Sequence, residues 1–77
     1  SLQKLEGKYS HEEEVIEVCL ENGELLIDFN NGLPPVTLYS SGEGNFFILQ
    51  DDLRINRTDN GLILINHKQE KTAYQKL

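Results

Sequence analysis

The sequence predicts an all-β fold: a single antiparallel up-and-down meander of about eight short strands that forms a barrel or half-barrel. Turn signals rich in Gly, Asn and Asp recur along the chain, and short segments rich in Val, Ile, Leu, Phe and Tyr lie between them. No window shows a sustained helical stripe. The predicted strands are 5–10, 14–20, 24–30, 35–40, 45–50, 53–58, 62–67 and 72–77.

The first well-defined hairpin is centred on Asn22-Gly23, which favours a two-residue type I′ turn. Such a turn aligns three apolar pairs on one face: Leu20 with Leu25, Val18 with Ile27, and Ile16 with Phe29. The opposite face then carries Glu21 beside Glu24, Cys19 beside Leu26, and Glu17 beside Asp28. One face is therefore expected in the core, and the acidic face is expected to stay in water.

After this hairpin, a pair of prolines predicts where a strand begins, and a run containing two phenylalanines predicts further core residues. Pro34-Pro35 cannot donate to a ladder and should precede the strand at 35–40. Phe46-Phe47-Ile48-Leu49 is apolar on both faces, and Phe46 and Ile48 are expected in the core.

A second hairpin is expected around Asp59-Asn60-Gly61, read as a three-residue loop whose glycine takes the left-handed conformation of a bulge. This register pairs Ile55 with Ile65 and turns Leu62 and Leu64 away from the core. Four consecutive apolar residues are too many for a strand with one wet side, so the far face of this strand should be covered.

The length of 77 residues at 8.8 kDa allows one domain, expected to span 1–77. The net charge of −6 argues against binding to nucleic acid or to an anionic membrane. No apolar run approaches the roughly 20 residues of a membrane-spanning helix. Because the sequence has no Met, we expect it to be a piece of a longer protein, most simply its C-terminal part.

The residues that could carry chemistry are few. Ser1-Leu2-Gln3-Lys4 spells the S-x-x-K box of penicillin-recognising hydrolases, but none of the companion boxes is present. His11 precedes three glutamates, and adjacent strand residues point to opposite faces, so a solvated acidic connection is expected. Cys19 has no cation beside it to lower its pKa. We therefore expect no catalytic, cofactor-binding or metal-binding residue, and no enzymatic activity in this chain.

Several landmarks resemble a known family when they are taken together and in order. The opening Leu5-Glu6-Gly7-Lys8-Tyr9 is similar to the L-x-G-x-Y entry of small lipocalin-like β-barrel domains at the C-terminal end of bacterial β-lactamase- and penicillin-binding-type serine hydrolases. Later landmarks follow the family's order: Ile16-Glu17-Val18, Asn22-Gly23-Glu24-Leu25, Pro35-Val36-Thr37-Leu38-Tyr39, Phe46-Phe47, Asp59-Asn60-Gly61-Leu62-Ile63 and Thr72-Ala73-Tyr74-Gln75-Lys76-Leu77. The segment 66–71 departs from the family, which usually has a glycine in this last turn.

The resemblance implies a non-catalytic accessory domain attached to a hydrolase domain of the same polypeptide, and a location outside the cytoplasm. The candidate partner surface consists of the outward apolar residues Leu26, Leu62 and Leu64. The alternative is a stand-alone small-ligand-binding module that uses the barrel mouth or concave face. Its candidate lining residues are the aromatic side chains Tyr9, Tyr39, Phe47 and Tyr74.

Overall fold

The computed structural model describes residues 2–77 and confirms the all-β prediction, with nine antiparallel strands in one nearly closed, barrel-shaped sheet. A short 3-10 helix, Leu2–Leu5, precedes the first strand. The strands are β1 Gly7–His11, β2 Glu14–Glu21, β3 Glu24–Asp28, β4 Val36–Thr37, β5 Tyr39–Gly42, β6 Asn45–Phe47, β7 Arg54–Arg57, β8 Gly61–Ile65 and β9 Lys71–Lys76.

The two edges of the sheet are linked by residues 36–42. Its strand order is β4-β3-β2-β1-β9-β8-β7-β6-β5, so the two edge strands are consecutive in the chain. Leu38 lies between them, and its backbone N–H donates to the carbonyl oxygen of Leu25 at 2.8 Å. The strand predicted at 35–40 is therefore two strands, of which β4 pairs with β3 and β5 pairs with β6.

The hairpin of β2 and β3 forms in the predicted register. Asn22 and Gly23 both have positive φ, 51° and 81°, as a type I′ turn requires. Leu20 pairs with Leu25 and Val18 with Ile27, while the acidic pairs lie on the other face. Since β3 ends at Asp28, the pairing predicted for Phe29 is not part of the ladder.

The hairpin of β7 and β8 corrects the sequence prediction by one residue. Ile55 pairs with Leu64 rather than with Ile65, and the N–H of Thr58 donates to the carbonyl of Gly61 at 2.9 Å. The connection is thus a two-residue loop. A one-residue shift sends every side chain of a strand to the opposite face, so Leu62 and Leu64 point inward and are only 0% and 8% exposed. The prediction that they face outward was wrong.

Gly61 is needed for a reason other than the left-handed bulge conformation that the sequence predicted. Its φ is not in the left-handed region. A Cβ built at this position would lie 1.9 Å from the carbonyl oxygen of Tyr74 on the neighbouring strand. Glycine is required here because β8 and β9 approach closely.

The barrel interior is filled by apolar side chains from the helix and from nearly every part of the sheet. Phe46 and Ile48 belong to it, as predicted. With them lie Leu5, Tyr9, Ile16, Val18, Leu25, Ile27, Leu38, Ile55, Leu62, Leu64 and Tyr74.

Candidate functional site

The outer surface of β2 and β3 carries a cluster of carboxylates, which we call the acidic face: Glu17, Glu21, Glu24 and Asp28. The register places Glu17 opposite Asp28 and Glu21 opposite Glu24, as the sequence predicted. Eight of the thirteen carboxylates and two of the seven basic side chains lie in residues 1–28, so this segment accounts for the whole net charge of −6.

Cys19 lies on the same side of the sheet as the acidic face, with Leu26 opposite it. Its pKa is raised above the usual value, first by burial and then by the charges of Glu21, Glu17, Glu6 and Asp28. A thiol with a raised pKa holds its proton and is a poor nucleophile. The environment of Cys19 therefore favours an unreactive thiol.

The other half of the barrel has the opposite character. Strands β5 to β9 contain no Asp or Glu. Directly paired residues form a row across these five strands on the outer surface: Tyr39, Phe47, Arg54, Ile65 and Lys71. A second row beside it contains Asn45, Asn56, Ile63 and Ala73. We call these nine residues the carboxylate-free face.

Aromatic and apolar side chains occupy the centre of the carboxylate-free face. The rings of Tyr39 and Phe47 stack with their centroids 5.5 Å apart and an interplanar angle of 26°. Tyr39 is 40% exposed, whereas Ile65 is only 6% exposed between its paired neighbours Arg54 and Lys71. The outward apolar residues of β8 are therefore Ile63 and Ile65.

The four aromatic residues predicted to line a ligand site do not share a surface. Tyr9 is 2% exposed, and its hydroxyl donates to the carbonyl of Leu5 at 2.6 Å. Tyr74 is also buried, whereas Tyr39 and Phe47 lie on the outside of the sheet. Two of the four thus face inward and two outward, and they cannot line one concave site.

Tyr74 belongs to a cluster at one end of the barrel. Its hydroxyl donates to Glu14 Oε2 at 3.2 Å, and its ring centroid is 5.6 Å from that of His11. His11 Nδ1 lies 3.1 Å from the carbonyl oxygen of Ala73 and donates to it when Nδ1 carries a hydrogen. Burial and then the neighbouring charge of Glu14, together with its hydrogen bond, raise the pKa of Tyr74.

A cavity of about 440 Å³ adjoins this cluster, beside the two paired positions of β1 and β9. His11, Tyr74, Thr58, Asn60 and Gln75 are among its lining residues. Ser10 also contributes, but it is adjacent to His11 on a strand, so the two side chains point to opposite faces. This arrangement therefore gives no Ser–His nucleophile pair.

A smaller cavity of about 270 Å³ lies between the start of β3 and strand β5, and we call it the β5 cleft. Glu24, Leu25, Leu38, Tyr39 and Ser40 are among the residues that line it. The cleft opens where the two strands diverge beyond the hydrogen bond between Leu38 and Leu25.

Residues 2–77 contain neither a clustered set of metal ligands nor a long apolar helix. Within this range, no group of three or more His, Cys, Asp and Glu side chains is placed to hold a metal ion. The same residues include no helix that is both long and apolar enough to cross a bilayer. Ser1, the first residue of the S-x-x-K pattern, lies outside the described residues.

Comparison with known protein families, with curated proteins and with solved structures found no match to this chain. Sequence reasoning missed Arg54, Asn56 and Ile63 as members of a common surface. The lack of carboxylates in segments 35–40, 45–48 and 53–58 was a visible signal, but only the correct register places these side chains together.

Proposed function

We propose that the chain is a non-catalytic accessory domain that docks on another domain of the same polypeptide through the carboxylate-free face. The observation that carries this proposal is the division of the barrel surface. Protein interfaces are depleted of Asp and Glu at their centre and enriched in Tyr, Phe and Arg, and β5 to β9 have this composition on their outer side. The acidic face has the opposite composition, because Glu and Asp dominate it.

The structure changes which residues would make the contact. Leu62 and Leu64 fill the core and are unavailable to a partner. Leu26 remains partly exposed, but carboxylates surround it on the acidic face. Ile63 and Phe47, with Arg54 beside them, take over the role that the sequence assigned to Leu62 and Leu64.

The partner in this proposal is a β-lactamase-related serine hydrolase domain. The order of landmarks from Leu5-Glu6-Gly7-Lys8-Tyr9 to the C-terminal Tyr74-Gln75-Lys76 supports that choice, together with a location outside the cytoplasm.

The test uses the neighbouring domain encoded by the same gene, produced separately and titrated with this chain. Arg54→Glu places a carboxylate in the centre of the proposed interface and should weaken association about tenfold or more. Lys4→Glu makes the same change of charge at an exposed residue off the sheet and should change the dissociation constant less than about twofold. Equal losses in the two variants, or no association of the unmodified chain, would contradict the proposal.

The second candidate function is a stand-alone small-ligand-binding module. The cavity beside His11 and Tyr74 favours it, because its volume of about 440 Å³ is within the range of ligand sites and polar groups converge on it. A ligand held there should raise the melting temperature with concentration, and Asn60→Ala should remove that shift. If sugars and small aromatic compounds leave the melting temperature unchanged, this candidate fails.

A further inference from the structure

We infer that the β5 cleft accepts an extended basic peptide, which adds to the sheet as a strand beside β5. This site shares only Tyr39 with the carboxylate-free face proposed for domain docking. β5 is one of the two edges of the sheet, and β6 is its only partner strand in residues 2–77. The free side of an edge strand presents unpaired N–H and C=O groups, which are a template for another strand.

The opposite wall of the cleft keeps this edge accessible. β3 pairs with β4 through Leu26 and Ile27, and the carbonyl of Leu25 accepts the N–H of Leu38. Beyond this point, Glu24 and β5 line opposite sides of an open cavity instead of pairing. All four residues of β5 are exposed, and none carries a charge that would hinder strand addition. The register shifts between Ser40 and Gly42, so the regular edge offered to a peptide consists of Tyr39 and Ser40, the two β5 residues that line the cleft.

Charge selects the kind of peptide. Residues 9–53 contain ten carboxylates and no Lys or Arg, and both walls of the β5 cleft belong to this segment. Glu24 lines the cleft with Glu21 directly opposite it across the hairpin, and Glu43 lies in the turn after β5. A peptide with Lys or Arg is attracted to this site, whereas a second copy of the chain would bring the same acidic segment and be repelled.

Tyr39 adds a feature suited to a cationic side chain. It lines the β5 cleft and remains 40% exposed, with its ring stacked on Phe47. A Lys or Arg next to the bound backbone can lie against this ring, since cations are attracted to the faces of aromatic rings. The edge of β5 would therefore supply affinity, and Glu24 with Tyr39 would supply selectivity.

The experiment is an NMR titration of the isotope-labelled chain with a blocked hexapeptide of alternating Lys and Val. The amide signals of Tyr39, Ser40 and Glu24 should shift, while those around the distant turn at Lys68 should not. Two control peptides are used: one with Glu in place of Lys, and one with N-methyl groups that remove the hydrogen bonds of one edge. Both should bind at least about tenfold more weakly.

Variants then test the charge. Glu24→Gln should weaken binding of the Lys peptide about two- to fivefold, the range of an exposed ion pair, and Glu70→Gln, in the distant turn before β9, should leave it unchanged. Equal shifts with the Glu peptide, shifts confined to Phe47, Arg54 and Ile63 of the carboxylate-free face, or no shift at millimolar peptide would overturn the inference. Domain docking is tested separately by Arg54→Glu, because Arg54 does not line the β5 cleft.

Discussion

The β2–β3 and β7–β8 hairpins have similar sequences and short loops, yet each needs its turn glycine for a different physical reason. In the β2–β3 hairpin, Gly23 has a φ of 81° and no atom stands within 4 Å of where its Cβ would be. In the β7–β8 hairpin, Gly61 needs no unusual φ but has no room for a Cβ. A glycine near a turn can therefore indicate either a positive φ or a close approach of two strands. The two cases predict different strand registers.

The outer chemistry of the two hairpins differs as much as their turns. The first carries the acidic face, and the second carries Arg54, Asn56 and Ile63 of the carboxylate-free face. Because register decides which residues point outward, the turn also decides what each half of the barrel offers to a partner.

Leu62→Ala should destabilise the domain by about 2–5 kcal/mol, since it leaves a cavity in the core. Leu26→Ala, at an outward position of the β2–β3 hairpin, should cost less than about 1 kcal/mol because little packing is lost. Urea unfolding followed by circular dichroism measures both. If Leu62→Ala were as mild as Leu26→Ala, Leu62 would face outward as the sequence first suggested.

Gly61→Ala should destabilise the fold by about 1–3 kcal/mol, because the new Cβ must push β8 and β9 apart. Gly23→Ala meets no atom but forces alanine into the left-handed region, at a cost of about 1 kcal/mol. Chemical denaturation of both variants gives the difference. A larger loss for Gly23→Ala would mean that the two glycines have the reverse roles.

Alkaline pH should weaken the fold through the buried tyrosines. Burial raises the pKa of both Tyr9 and Tyr74 above the usual value of 10.0. Their contribution is complete below pH 10 and is lost as the pH rises through the folded-state pKa, because the unfolded chain releases these protons first. Unfolding midpoints should fall above pH 10, and Tyr74→Phe should make that fall shallower. An unchanged slope in Tyr74→Phe would contradict this assignment.

The smallest effect concerns Cys19 on the β2–β3 hairpin. Because burial and the carboxylates raise its pKa, the folded chain should react with a thiol reagent at pH 8 more slowly than the urea-unfolded chain. Glu21→Gln should raise the folded-state rate about twofold by removing one like charge, and Glu70→Gln should not. Equal rates in folded and unfolded chains would show that the acidic face does not suppress this thiol.

The sequence predicted the fold class and the β2–β3 register because turn chemistry and apolar alternation agree around Asn22-Gly23. It failed at β8 because Leu62 to Ile65 are all apolar, so alternation could not choose between two registers. The close approach of Gly61 to Tyr74 is a contact between neighbouring strands, which the alternation within β8 does not reveal. The carboxylate-free face depends on the same register and was hidden for the same reason.

The pairing of β1 with β9 sets the timing of folding. Tyr9 pairs with Lys76, and Lys76 Nζ donates to the carbonyl of Lys4 at 2.9 Å. The β2–β3 hairpin can form as soon as it is made, but the outer edge of β1 waits for residues some 65 positions later. Contacts of such large sequence separation slow folding. On the ribosome, the chain would therefore hold an incomplete sheet, with one edge of β1 unpaired and the apolar inner face uncovered, until β9 emerges. During that interval the chain is most exposed to aggregation.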